Sequence, residues 1–168
     1  MTRTQRALLT LALLLAAALP AAAALLVPAG LPYDEPAHWS TVRFYAETHR
    51  LPELGEPGTT YEAQMPPVYY TLAAPVVAAR PADDAFAAVR IAGAAMVAVL
   101  VWLTVALGRA LTGSGATGVL AGLLVAVNPL VAVVGGSVQN DLLATTVATG
   151  GALHAVRGLA RPQWRPAT

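Results

Sequence analysis

The sequence predicts an all-α, polytopic helical membrane protein with about four transmembrane helices and a helical extracytoplasmic first loop. Three observations carry this. Hydrophobic residues make up 57% of the 168 residues and charged residues only 11%, against about 25% charged in an ordinary soluble domain. Mean hydropathy is positive, at +0.60. The apolar residues gather in uncharged runs close to the ~20 residues a helix needs to cross a bilayer. The same composition excludes other classes. A net charge of +1 offers no basic face to a nucleic acid. The absence of cysteine rules out a disulfide framework, a thiolate metal site, a cysteine nucleophile and a lipoprotein anchor. All ten basic residues are arginine, a compositional bias and not a functional signal.

Residues 7–27 form the first apolar run, behind Arg3 and Arg6. The run is longer than the ~7–15-residue core of a secretory signal, so it reads as an uncleaved first span; Ala-rich positions around Pro20–Ala24 keep a signal peptide as the competing reading. Pro28 and Pro32 close it, because proline cannot continue a helix. Residues 28–90 form the polar segment, with most of the acids and aromatics. Within it, 36–49 can form a helix with Asp34 as N-cap and Pro36 in the first turn, both favoured there. Trp39, Val42 and Ala46 share one face of that helix, and Arg43 and Glu47 pair at i, i+4 on another. A Pro- and Gly-rich loop follows over 51–60. A second apolar run of about a dozen residues ends near Ala79; it is too short to span and reads as interfacial or re-entrant. Asp83 and Asp84 can cap the next helix.

Residues 91–108 are the second span, 115–134 the third and 137–156 the fourth, followed by a tail over 157–168. Gly118 and Gly122 permit close helix packing in the third, and Pro129 kinks its outer end. Arginine placement orients the scheme. With the N-terminus cytoplasmic, Arg3, Arg6, Arg109, Arg157, Arg161 and Arg165 lie inside, and Arg43, Arg50, Arg80 and Arg90 outside, the bias expected of a multi-pass cell-membrane protein. All nine acids then fall on the outer face.

The chemistry concentrates in Tyr33-Asp34-Glu35-Pro36-Ala37-His38-Trp39. Asp34 and Glu35 lie just beyond the first span, and a carboxylate there can act as a general base or hold a divalent metal. His38 stands four residues from Asp34 and three from Glu35, so on a helix the three face one side, as metal ligands or an acid–imidazole pair would. The plainer alternative is a capping acid, a first-turn acid on the helix dipole and a solvated histidine. Glu62, Gln64 and the Pro-Pro-Val-Tyr-Tyr run to Tyr70, with Tyr69 among them, can form the wall of a lipid head-group site or an interfacial surface element. Arg90 opens a span, where it snorkels or binds a lipid phosphate. Asp141 is an acid in an apolar helical run, a functional position by default in a membrane; His154 reads as a boundary histidine.

These pieces occur in a recurring order: a first span, Pro-Tyr-Asp-Glu-Pro-Ala-His, Leu-Pro with an acidic turn, Glu62-Ala-Gln-Met-Pro-Pro-Val-Tyr-Tyr, Arg90 opening a span, Asn128-Pro129, and Ser137-Val-Gln-Asn-Asp141. That order resembles the N-terminal part of bacterial GT-C-type glycosyltransferases, the family 39, dolichyl-phosphate-mannose mannosyltransferase-like and aminoarabinose-transferase-like polytopic membrane proteins. It also resembles a related group of uncharacterised bacterial membrane proteins. The resemblance implies transfer of a sugar from a polyprenyl-phosphate donor to an extracytoplasmic acceptor. Asp34 and Glu35 would be the catalytic acids, and Asp34 and His38 the metal ligands if a divalent metal takes part. His38, Glu62, Gln64, Tyr69, Arg90 and Asp141 would contact substrate. Such enzymes have more spans than this chain, so the resemblance also implies an incomplete fragment or split protein, completed by a missing C-terminal half or a partner membrane subunit among membrane lipids. Two other classes compete: a non-catalytic membrane subunit or scaffold, and a small transporter piece, the latter supported only by Thr145, Thr146 and Thr149 in one helix.

Overall fold

A computed structural model describes residues 1–32 and 34–160; Tyr33 and the tail arginines Arg161 and Arg165 lie outside the described residues. Among these the chain forms seven α-helices and no strand: α1 (Arg3–Leu26), α2 (Glu35–Thr48), α3 (Val68–Ala78), α4 (Ala82–Thr112), α5 (Gly115–Ala126), α6 (Pro129–Gly135) and α7 (Asp141–Leu159). A single 3-10 turn, Tyr61–Gln64, precedes α3. The chain is a helical membrane protein, with two helices, α1 and α4, long and apolar enough to cross a bilayer; the α5–α6 pair makes a third if it is one broken span.

The expected fourth span is the helix α7, which does not reach that apolarity among the described residues. Thr145, Thr146, Thr149, Gly150, Gly151, His154 and Arg157 dilute it. It also starts at Asp141 rather than Ser137, because the intervening backbone is committed elsewhere, as shown below. The apolar stretch expected as the third span is broken into two helices rather than kinked. Pro129 cannot donate, and the residue before a proline is pushed to extended backbone. Asn128 takes φ −71° and ψ 119°. Its Oδ1 accepts the N–H groups of Leu130 and Val131 at 2.9 and 3.5 Å. A new helix starts there, bent 63° from α5.

Helix α4 is the hub, packing on α1, α5, α6, α7 and α3. At 31 residues it is about 46 Å long at 1.5 Å per residue, more than the roughly 30 Å hydrocarbon core requires. It begins earlier than predicted, and Asp83 and Asp84 occupy its first turn rather than its cap, where the helix dipole favours acids. Small residues set the spacing. Ala12, Ala16, Pro20 and Ala24 are the buried stripe of α1. A Cβ on Gly136 would lie 2.5 Å from the Pro20 carbonyl oxygen and 2.7 Å from the Ala24 nitrogen. Gly118 and Gly122 do bring α5 onto α4: a Cβ on either would press within 2.5 Å of Val105.

Above one end of these helices, α2, α3 and the loop between them form a cap. Its core is Val42, Phe44, Tyr45, Ala46, Tyr70, Ala73, Ala74, Val89 and Val138, with Trp39 packed against it. Trp39, Val42 and Ala46 therefore share the inward face as predicted, and Arg43 pairs with Glu47 at 3.1 Å on the exposed face. Helix α3 has 11 residues, which at about 1.5 Å per residue cannot cross a bilayer.

Candidate functional site

The adjacent acids Asp34 and Glu35 face different surroundings. Glu35, the first residue of α2, is fully buried. Its Oε1 accepts from Arg90 Nε at 2.7 Å and from the Val138 N–H at 2.9 Å. Its Oε2 accepts from Arg90 Nη2 and from the Gly30 N–H at 3.0 Å. Arg90 spends its remaining donors on the open end of α1: Nη1 donates to the Ala24 and Val27 carbonyls at 3.0 and 2.8 Å, and Nη2 to Pro28 at 3.4 Å. The last carbonyls of a helix have no partner within it, and here a guanidinium from α4 supplies one. Arg90 thus neither snorkels nor presents a free donor; Phe86 stacks on it at 4.7 Å. Burial raises the Glu35 carboxyl, but the hydrogen bonds from Arg90, Val138 and Gly30 and the Arg90 charge outweigh it and hold it below the ordinary glutamate range. This single pair joins the end of α1, the following loop, α2, α4 and the segment before α7.

Asp34 is half-buried. It occupies the N-cap position of α2 but makes no capping bond; φ −95° and ψ −5° are helical rather than the extended geometry a cap needs. Its Oδ1 accepts instead from the Tyr61 hydroxyl at 2.6 Å. Tyr61 opens the 3-10 turn, which Thr60 caps by accepting the Glu62 N–H at 3.2 Å. Thr60 also touches Thr41 of α2 at 3.2 Å.

Behind Asp34 runs a buried polar chain. His38 Nδ1 lies 2.8 Å from the Tyr70 hydroxyl. Tyr70 donates to Glu62 Oε2 at 3.2 Å, and His38 Nδ1 is 3.5 Å from that oxygen. With the Tyr70 hydroxyl donating to Glu62, its oxygen is left to accept from His38 in the tautomer that carries its proton on Nδ1. The Tyr70 ring lies parallel to His38 at 6.0 Å and to Tyr45 at 5.7 Å. His38 and Tyr45 are seven residues, or about 10.5 Å, apart along α2, so the tyrosine fills the gap between them. His38, Glu62 and Tyr70 are each at most 4% exposed. Burial pulls the His38 imidazole below its ordinary value, opposed by the charges of Glu62, Asp34 and Asp141.

The fold therefore gathers Asp34, His38, Glu62 and Asp141 from three separate stretches. Asp141, in the first turn of α7, is exposed and acts on His38 through its charge. Tyr69 stands edge-on to Tyr70 at 5.5 Å; burial raises its hydroxyl, and a hydrogen bond from the Gln139 backbone opposes this. Three predicted residues are not brought in: Glu35 and Arg90 pair with each other in the seam, and Gln64 is exposed at the end of the 3-10 turn. Tyr61 is a site residue that motif reading missed, and Tyr70, read only as part of the Pro-Pro-Val-Tyr-Tyr run, is the residue that joins His38 to Glu62. The available signal was the Tyr69-Tyr70 pair, of which a short helix can bury only one fully. Asp34 accepts from Tyr61 and His38 Nδ1 lies against Tyr70; among the described residues no group of three or more His, Cys, Asp or Glu is placed to hold an ion. No family model, no curated protein and no solved structure matches this chain.

Proposed function

We propose that this chain is a membrane glycosyltransferase module of GT-C type, which moves a sugar from a polyprenyl-phosphate donor to an acceptor outside the cell membrane. The reading is carried by one observation: the half-exposed Asp34 carboxylate, next to the end of a span, beside a buried His38–Tyr70–Glu62 chain built from distant parts of the sequence. Tyr61 fixes one Asp34 oxygen and the other makes no hydrogen bond among the described residues, so it can take a proton. In the transfer, the acceptor hydroxyl loses its proton to Asp34 as its oxygen bonds the anomeric carbon. The bond from that carbon to the phosphate oxygen breaks, and polyprenyl phosphate departs. The buried chain holds the loop bearing Tyr61, and thereby the base, in place. Arg90 does not serve the leaving phosphate, since all its donors are used.

Loss of a positioned base costs about 10²–10⁴-fold. Asp34→Asn, expressed in membranes beside the wild type, is expected to lose sugar transfer from a polyprenyl-phosphate donor to that extent while keeping its fold. Unchanged transfer by Asp34→Asn rejects the reading. A second reading, a non-catalytic membrane subunit or scaffold, is favoured by one observation: Glu35 and Arg90 are wholly spent on joining helices. Normal assembly of a partner complex by Asp34→Asn, with no transfer activity in the wild type, would support it.

A further inference from the structure

The opposite end of the helices carries a second feature, independent of the acidic cap. Helices α1, α4 and α7 enclose an open cleft of about 560 Å³ there, within the size of small-ligand sites. Gln5, Leu9, Trp102, Val105, Arg109 and Arg157 line it, and no acid does. Neither Arg109 nor Arg157 makes a hydrogen bond or ion pair among the described residues. The Arg109 stem is set from below: it lies over Gly118, where a Cβ would come within 2.5 Å of Arg109 Cγ. Gln5 is oriented by the capping box of α1, with Oε1 accepting the Thr2 N–H at 3.0 Å, which leaves its amide N–H groups to donate. An arginine in a last helical turn offsets the helix dipole, and both arginines occupy such turns. That alone does not bring two of them to one acid-free cleft with an exposed tryptophan, 52% accessible, on its apolar wall.

We propose that this cleft binds the phosphodiester head group of an anionic phospholipid from the leaflet at that end. Two guanidiniums and an amide meet the phosphate oxygens. Leu9, Trp102 and Val105 meet the glycerol and the first acyl carbons, at the depth where tryptophan favours the interface. Basic recesses between spans are the usual form of such lipid sites.

The test uses the full chain with Trp39→Phe and Trp164→Phe, so that Trp102 alone reports. The protein is reconstituted in phosphatidylcholine bilayers containing a minor share of lipid brominated on the acyl chains. Brominated phosphatidylglycerol is expected to quench Trp102 well beyond brominated phosphatidylcholine. Each of Arg109→Gln and Arg157→Gln should weaken this preference about fivefold, and the two together about thirtyfold, from about one surface-arginine contribution each. Arg109→Lys with Arg157→Lys should keep most of it. If the double glutamine variant fails to insert, the single variants carry the same test. Equal quenching by both lipids overturns the proposal. So does a preference abolished equally by Arg3→Gln with Arg6→Gln, which would mean a diffuse surface field. Displacement by inorganic phosphate or glycerol phosphate would identify a soluble phosphate site and overturn the lipid assignment.

Discussion

Asp34 and Glu35 are neighbours in sequence and opposites in situation. Glu35 is buried in a seam where five stretches of chain meet, with four donors on its two oxygens. Asp34 is half-exposed, held by one phenol from a loop. Residue type and spacing give both the same promise as catalytic acids. The surroundings separate them: a carboxylate saturated by a buried guanidinium and two backbone N–H groups has no capacity left for a substrate proton, whereas one with a free oxygen does. An acid that organises a fold and an acid available for chemistry are distinguished by their donors, and donors come from distant parts of the chain.

The strongest way to break the comparison is to remove the Glu35 charge. Glu35→Gln leaves Arg90 buried without its counter-charge, and breaking a buried pair costs about 3–5 kcal/mol. The variant should unfold far earlier than wild type on heating in mild detergent. The seam should also resist acid. The folded Glu35 carboxyl is below its ordinary range, so its stabilisation is present above the unfolded value of about 4.3. It is lost only as pH falls through the lower folded value. A Glu35→Gln variant as stable as wild type would show that Glu35 is no keystone.

Tyr70→Phe comes next. It keeps the ring between His38 and Tyr45 but removes the hydroxyl that joins His38 to Glu62. Leaving buried polar groups unpaired costs about 1–3 kcal/mol, less than Glu35→Gln because no lone buried arginine charge results. Equilibrium unfolding of both variants under one set of conditions ranks them; a reversed order would make the cap, not the seam, the stronger element.

Much of this architecture was legible in the sequence. The ends of α1 and α3, the inward face of α2 and the Gly118–Gly122 contact follow from prolines, helical spacing and small residues, all of which act locally. The break at Asn128-Pro129 was half legible: the proline announced a disturbance, but the side-chain cap turned a kink into a new helix. Three pairings were not legible. Arg90 with Glu35 spans 55 positions, Val138 with Glu35 spans 103, and His38 with Tyr70 spans 32. Nothing local marks an arginine as the cap of another helix. For the site, residue type pointed to Asp34, His38, Glu62 and Asp141, but the part each plays was set by Tyr61, which no motif singled out, and by Tyr70, whose motif did not show its partners.

The two regions should also separate by pH. Burial lowers the folded His38 value, so the folded protein binds fewer protons than the unfolded chain. Stability is therefore full above the unfolded histidine value of about 6.5 and falls as pH drops through it toward the folded value. The Glu35 contribution changes only in a much more acidic window. Thermal midpoints between pH 7.5 and 5 should fall in wild type and flatten in His38→Gln. An unchanged slope in the variant would mean that His38 is not the titrating group.

The smallest expected effect on stability is the most informative. Asp34→Asn keeps an oxygen that can accept the Tyr61 hydroxyl, creates no buried charge and changes a half-exposed position, so about 0.5 kcal/mol or less is expected. If the variant unfolds with wild type and transfer is lost, the Asp34 charge serves chemistry and the Glu35 charge serves structure. If Asp34→Asn destabilises as strongly as Glu35→Gln, both acids belong to one structural unit, and the exposed oxygen of Asp34 has lost its reason to be read as a base. The decisive quantity is the difference between the two unfolding free energies, about 2.5 kcal/mol or more on the donors each acid holds, because it compares adjacent residues in the same helix start and cancels what they share.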